Sequence, residues 1–194
     1  MRADFLTVAV RTDPANKGPG GVSLLLVEGD TPGLQRTLLA KTGWWASDTA
    51  HLRFENCRVP AANLLGEEGQ GFLAIMLNFA TERLLLAGQC VAIATLAYQE
   101  ALAYARERRA FGKTLTGFQV TRHKLAEMAT RIAAARALTG EVVQRVGRGE
   151  AAVTLAAMAK NTATDMCSFV CDQAVQLHGG AGYMRETLVE RLFR

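Results

Sequence analysis

The sequence predicts a mainly α chain: a C-terminal four-helix-bundle domain preceded by part of an antiparallel β domain. Three observations carry this. All four prolines and both tryptophans lie in the first 60 residues, and the remaining 134 contain neither. Those first 60 residues set short apolar runs between turn signals, whereas the rest repeats its apolar residues at helical intervals. Of the 194 residues 49% are apolar and 21% charged, which supports a sizeable core and excludes wholesale disorder.

The shift in grammar falls near Asn63–Gly71, so residues 1–66 are assigned to the partial β domain and 67–194 to the bundle. Phe5–Val10 and Val22–Val27 read as strands separated by the turn-rich Lys17-Gly18-Pro19-Gly20-Gly21. Thr49–Val59 alternates, with Ala50, Leu52 and Phe54 on one face and His51, Arg53 and Glu55 on the other. Three or four strands make a thin sheet, as expected if the chain begins inside a larger β domain.

Beyond residue 67, Phe72, Phe79, Leu86 and Ile93 repeat every seven residues, with Ile75, Glu82, Gln89 and Leu96 as a companion row. Leu125, Met128, Ile132, Ala135, Thr139, Val142 and Val146 step by three and four, as do Leu155, Ala159, Thr162, Met166, Val170, Ala174 and Leu177, approximately. Gly147-Arg148-Gly149 separates the second helix from the third, and Gly179-Gly180 stops the third. Each helix is expected to have about 28–35 residues, roughly 40–50 Å. The start of a fourth is expected at Met184–Arg194, and short links imply an antiparallel bundle.

A net charge of +4 is too mild to call for nucleic acid. Cys57, Cys90, Cys167 and Cys171 form no C-x-x-C pair and read as free core thiols, which suits a reducing cytoplasm. No signal peptide is recognised at Met1-Arg2-Ala3-Asp4. The longest uncharged stretch of the first helix, Leu84–Gln99, falls short of the about 20 apolar residues of a membrane span, so none is expected. No metal site is expected, because His51, His123 and His178 lack ligand-like spacing and acidic companions.

Three places break the pattern. Glu82 sits in an apolar row, where a carboxylate is costly unless paired or used. It is either a structural ion-pair member or a general base sharpened by desolvation. Residues 106–124 hold six Lys/Arg and one acid, around Arg108-Arg109-Ala110-Phe111-Gly112-Lys113. Such a cluster either complements a helix dipole or binds an anion, with Arg as a planar fork and Phe111 as a face for a ring. Gln176-Leu177-His178-Gly179-Gly180-Ala181-Gly182-Tyr183 is either a plain helix stop or a place of close backbone approach to a ligand.

Taken together, these segments resemble the acyl-CoA dehydrogenase family over nearly the whole chain and in family order. Ser47-Asp48-Thr49 with Leu52–Pro60 is similar to the end of the family's middle β domain. Thr81-Glu82-Arg83-Leu84 is similar to the first bundle helix of the isovaleryl and long-chain branches. The Arg108–Lys113 segment with Phe118-Gln119, and the Gln176–Tyr183 segment, are similar to its two FAD-binding signatures. The resemblance implies a fragment: the end of the middle β domain plus a bundle truncated at its end. It implies FAD-dependent α,β-dehydrogenation of an acyl-CoA thioester, with Glu82 as base and hydride passing to flavin N5. It further implies that Arg108 grips the FAD pyrophosphate, Phe111 lies near the adenine, and Gln119, Gln176, Gly179 and Gly180 bond to or approach the cofactor. Arg83 would contact the CoA moiety. In the family those cofactor residues serve a neighbouring subunit's FAD, so a homodimer or homotetramer is implied, with an electron-transferring flavoprotein as acceptor. A non-catalytic member, or an acyl-CoA oxidase or nitroalkane oxidase on the same fold, is the alternative.

Overall fold

A computed structural model describes residues 2–194. Their contacts group into two compact units, Met1–Phe79 and Ala80–Arg194.

In the first unit, β1 (Phe5–Arg11) pairs antiparallel with β2 (Val22–Glu28), from Phe5 opposite Glu28 to Arg11 opposite Val22. Two further strands, β3 (Leu34–Leu38) and β4 (Ala50–Phe54), form a separate antiparallel ladder. A short β5 (Leu64–Leu65) joins the free edge of β2. Ser23 is fully buried on β2. Its hydroxyl accepts the Gly69 N–H at 2.9 Å and shares a 2.7 Å hydrogen bond with Thr12, so the burial is satisfied. The expected strand over Thr49–Val59 contracts to Ala50–Phe54, because Asn56 takes a left-handed φ of 52° that ends the ladder. Within it, Ala50 and Leu52 are half-buried and His51 and Arg53 exposed, as the alternation predicts, but Phe54, expected on the Ala50 face, is exposed at the end of the strand.

The helical part begins with α1 (Gly71–Glu107), at 37 residues longer than expected and about 55 Å long. α2 (Gln119–Gly147) and α3 (Val153–His178) follow. α4 (Leu188–Phe193) is one and a half turns, shorter than Met184–Arg194 implied, because Met184–Thr187 forms a turn first, the Thr187 N–H and hydroxyl both donating to the Met184 carbonyl. The beginning of α1 meets the end of α2 and the beginning of α3 around a small apolar cleft lined by Ala80, Thr81, Leu84, Val146, Ala152 and Ala156. Midway, the Arg136 guanidinium donates to Thr95 Oγ1 at 2.8 Å, and Arg131 lies 3.9 Å over the Phe169 ring. α2 therefore runs antiparallel to α1 and α3, and α1 runs alongside α3 in the same direction.

The expected row of α2 is buried at Leu125, Met128, Ile132, Ala135, Thr139 and Val142, but its last member, Val146, is exposed near the end of the helix. On α3, Ala159, Met166, Val170 and Ala174 are buried, but Ala163 replaces Thr162. The heptad rows of α1 need correction. Phe72, Phe79, Leu86 and Leu96 are exposed, as are Glu82 and Gln89, while the closed face is Ala87, Val91, Ala94, Ala97, Ala101 and Ala105. Small side chains line the closed face, and the large residues stay on the outer face. By length and composition alone α1 is also apolar enough to cross a membrane. That outer face, with Leu77 and Leu85 both 68% exposed, supplies the apolar character.

All four cysteines are free, and three cluster where α1 meets α3. Burial, followed by the neighbouring Cys167, pushes the Cys90 thiol up to about 11, so it stays protonated and unreactive at neutral pH. A hydrogen bond from Cys167 holds the Cys171 thiol below its usual range, against its burial.

The alanine face makes a direct prediction. Ala97→Leu should destabilise the chain by about 1–3 kcal/mol through overpacking, whereas Leu85→Ala should stay within about 0.5 kcal/mol as an exposed change. Urea unfolding of both variants checks this, and the reverse order would place the packing face on the heptad rows.

Candidate functional site

The helix directions bring the C-terminal end of α1, the N-terminal end of α2 and the C-terminal end of α3 to one end of the bundle. The Tyr104 ring on α1 stacks on the His178 ring of α3, centroids 4.3 Å apart and planes 20° from parallel. Arg108, Phe111, Gln119, Gln176, Gly179 and Gly180 all belong to this end, and every one is exposed. Glu82 and Arg83 do not. They lie near the other end of α1, and the run from Glu82 to Glu107 covers roughly 38 Å at 1.5 Å per residue.

At the first end, a hairpin of β6 (Arg109–Ala110) and β7 (Lys113–Thr114) follows α1. Its two turn residues, Phe111 and Gly112, have φ of 49° and 83°. This is the left-handed geometry that two-residue hairpins need and that normally takes Asn-Gly. Gly112 adopts it freely, while Phe111 is strained there, by about 1–2 kcal/mol. Phe111 is nevertheless 96% exposed, touching Phe118 edge-on at 6.5 Å between centroids. Beyond that edge-on contact the ring is open, so its strain is set against little burial within the chain and its face is free to meet a ligand. Sequence reading singled out Phe111 but not the strain. The Phe-Gly pair could have signalled it only once the two-residue turn was known.

The basic cluster divides by use. Arg109 donates to the Gly112 carbonyl at 3.1 Å, Arg122 to the Thr116 carbonyl at 3.1 Å, and Lys113 sits 4.2 Å over the Phe118 ring. These three hold the hairpin and the start of α2. Among the described residues the Arg108 guanidinium has no hydrogen bond or ion pair. Its backbone is fixed instead: its N–H donates to the Tyr104 carbonyl at 2.8 Å and its carbonyl accepts the Leu115 N–H at 2.9 Å. Arg108 lies just past the end of α1, so complementing the dipole does not use up its fork.

Gln176 is on the last turn of α3, and Gly179 follows with φ of 59° and ψ of −136°, a backbone region that glycine alone enters at little cost. A Cβ built on Gly179 or Gly180 would meet nothing within 4 Å, so both present bare backbone. Gln119 opens α2, whose N-terminal end carries partial positive charge. An open guanidinium, two amides, a helix N-terminus, bare glycine backbone and a free aromatic face together fit an elongated anionic ligand with a ring, as a dinucleotide is.

At the far end, Glu82 is exposed and Arg83 half-buried, each with a partner within the chain. The expectation that Glu82 lies in a buried seam is therefore corrected. Its row is on the outer face of α1, beside exposed Phe79, Leu85 and Leu86. Periodicity placed the carboxylate correctly among apolar neighbours and misjudged which face is closed.

Residues 69–194 match the family described as acyl-CoA dehydrogenase, C-terminal domain. The chain is 38% identical over 193 residues to cyclohexane-1-carbonyl-CoA dehydrogenase of Geobacter metallireducens, covering 99% of this chain and 50% of that protein. It is 39% identical to the rat (Rattus norvegicus) mitochondrial long-chain specific acyl-CoA dehydrogenase, covering 97% of this chain and 44% of the relative. A crystal structure of a probable acyl-CoA dehydrogenase from Mycobacterium abscessus superposes with a TM-score of 0.95 at 50% identity, covering 99% of this chain and 51% of that one. The chain thus spans about half the length of the relatives it matches. Matched over its helical part by the family's C-terminal domain and over nearly all its length by these relatives, the chain belongs to the acyl-CoA dehydrogenase family.

Proposed function

We propose that this chain serves FAD-dependent α,β-dehydrogenation of an acyl-CoA thioester, giving the 2-enoyl-CoA. The observation that carries the reading is the gathering of Arg108, Phe111, Gln119, Gln176, Gly179 and Gly180 at one end of the bundle, fitted to a dinucleotide, in a chain of this family. Arg108 grips the pyrophosphate with its planar fork, Phe111 lies against the adenine, and the two glutamines and two glycines bond to or line the rest. FAD, when bound, supplies the acceptor for hydride leaving the substrate's β-carbon.

Glu82 is the proposed base. Its carboxylate takes the α-proton, and the electron pair of that C–H bond becomes the new double bond as the β-hydrogen departs. Arg83, one residue on, is placed to hold the CoA moiety. The exposed apolar face around Glu82 would exclude water once covered. In a protein of the relatives' length the remaining half supplies that cover.

The 38 Å between Glu82 and the end of α1 exceeds the length of one dinucleotide cofactor. A single bundle therefore contributes its base to one FAD and its Arg108 end to another. This supports a homodimer or homotetramer in which each FAD is held by two copies. An electron-transferring flavoprotein is the proposed acceptor of the electrons.

Three outcomes test the reading in the polypeptide that carries this chain. Glu82→Gln is nearly isosteric, so FAD content should persist while flavin reduction by acyl-CoA slows roughly 10²–10⁴-fold. Stopped-flow bleaching measures it, and a variant that bleaches at the wild-type rate would move the base elsewhere. Arg108→Lys keeps the charge but loses the fork. FAD content after dilution and gel filtration should fall with the melting temperature of the apoprotein unchanged, and full retention would remove Arg108 from the cofactor site. Phe111→Asn should relax the hairpin, raising apoprotein stability by about 1 kcal/mol while weakening FAD retention. Loss of stability on urea unfolding would show that the Phe111 ring packs within the chain.

A further inference from the structure

Beyond Val91, the closed face of α1 is lined by alanines at 94, 97, 101 and 105, all fully buried. Such a face of small side chains offers little to fix how far α1 slides along α3. Near the end of α1 the stacked rings of Tyr104 and His178, 4.3 Å apart, join the two helices directly. His178 is buried, and its Nδ1–H donates to the Ala174 carbonyl at 2.8 Å, which fixes the plane of the ring.

Each ring is tied to one half of the candidate cofactor site. The Tyr104 carbonyl accepts the Arg108 N–H, so Tyr104 sets where Arg108 leaves the helix. His178 is the last residue of α3, two after Gln176 and directly before Gly179-Gly180. The following turn rests on it: a Cβ on Gly182 would come within 3.0 Å of His178 Cβ and 2.5 Å of the Val175 carbonyl oxygen, so Gly182 packs with no room to spare. Residues 74 apart in sequence thus join the Arg108 segment to the Gly179-Gly180 turn through one ring-on-ring contact.

We infer that Tyr104 and His178 are a positioning pair, whose stack sets the spacing between Arg108 and the Gly179-Gly180 turn at which FAD is held. Neither ring touches the cofactor. The pair acts through the backbone on the groups that do. The inference rests on the proposed role of Arg108 and Gly179-Gly180 in holding FAD.

The test uses the flavin-loaded polypeptide that carries this chain, with FAD loss followed by flavin fluorescence and apoprotein stability followed by thermal melting. Tyr104→Met and His178→Met fill the volume with an unbranched chain but remove the planar face. Each should release FAD about tenfold faster, as expected for a stacking contact of this kind. Tyr104→Phe keeps its ring and leaves the His178–Ala174 hydrogen bond in place, so it should stay within about twofold of wild type on the same scale. In an Arg108→Ala background, Tyr104→Met should add nothing, since the stack acts through Arg108 and the Gly179-Gly180 turn that it registers against. Met variants that melt lower yet hold FAD as wild type does would make the stack structural only and overturn the inference, as would a Tyr104→Phe variant that releases FAD as fast as the Met variants. Arg108→Ala that holds FAD like wild type would instead overturn the site reading on which the inference rests. If the Met variants do not fold, Tyr104→Phe and the thermal melts still decide, because a ring-keeping change that speeds FAD release refutes it.

Discussion

The continuity of α1 is the constraint on which the rest depends. An α-helix with unbroken backbone hydrogen bonds is a stiff rod of about 1.5 Å per residue, and the alanine face of this one is closed against α2 and α3. Glu82 and Arg108 therefore cannot approach each other within one copy. On the proposed reading, in which Glu82 is the base and Arg108 the pyrophosphate ligand, the two would serve different cofactors, and assembly of copies would be part of the chemistry.

Much of what the chain exposes makes sense in that light. Phe111 spends conformational energy to hold its ring in solvent, and Arg108 has a fixed backbone and an open guanidinium. The outer face of α1 presents Leu77, Phe79, Leu85 and Leu86 around Glu82. These side chains leave much of their surface open, and that surface is suited to something brought to it. By contrast Arg109, Lys113 and Arg122, equally basic and close by, are committed to local carbonyls and a ring. Charge alone does not distinguish the two groups, and geometry does.

The sequence made α2 and α3 legible because their rows mix Leu, Met, Ile and Val with alanine at one periodicity. It misled on α1, where the largest apolar residues repeat every seven and the closed face is mostly alanine. A row of large residues marks what will be covered by something, and in this chain that something is not α2 or α3. The strand β3 was missed because Gln35, Arg36 and Thr37 occupy its centre. At the Arg108 end, the basic cluster with Phe111 and the Gln176–Tyr183 run stood out in the pattern, with a ligand site as one of two readings, and the family resemblance added Gln119 and the proposed roles. The Tyr104–His178 contact was not legible at all, since no local pattern couples residues that far apart.

The claim that two copies build each site is tested most directly by subunit complementation. Glu82→Gln and Arg108→Ala are introduced into separate copies of the polypeptide that carries this chain, each inactive or nearly so alone, and the two are unfolded and reassembled together. If each FAD takes its base from one copy and its Arg108 end from another, randomly mixed dimers regain about a quarter of the wild-type sites, one intact site in each mixed dimer. If both residues serve the same FAD within one copy, no reassembled site holds an intact pair, and activity stays at the level of the separate variants.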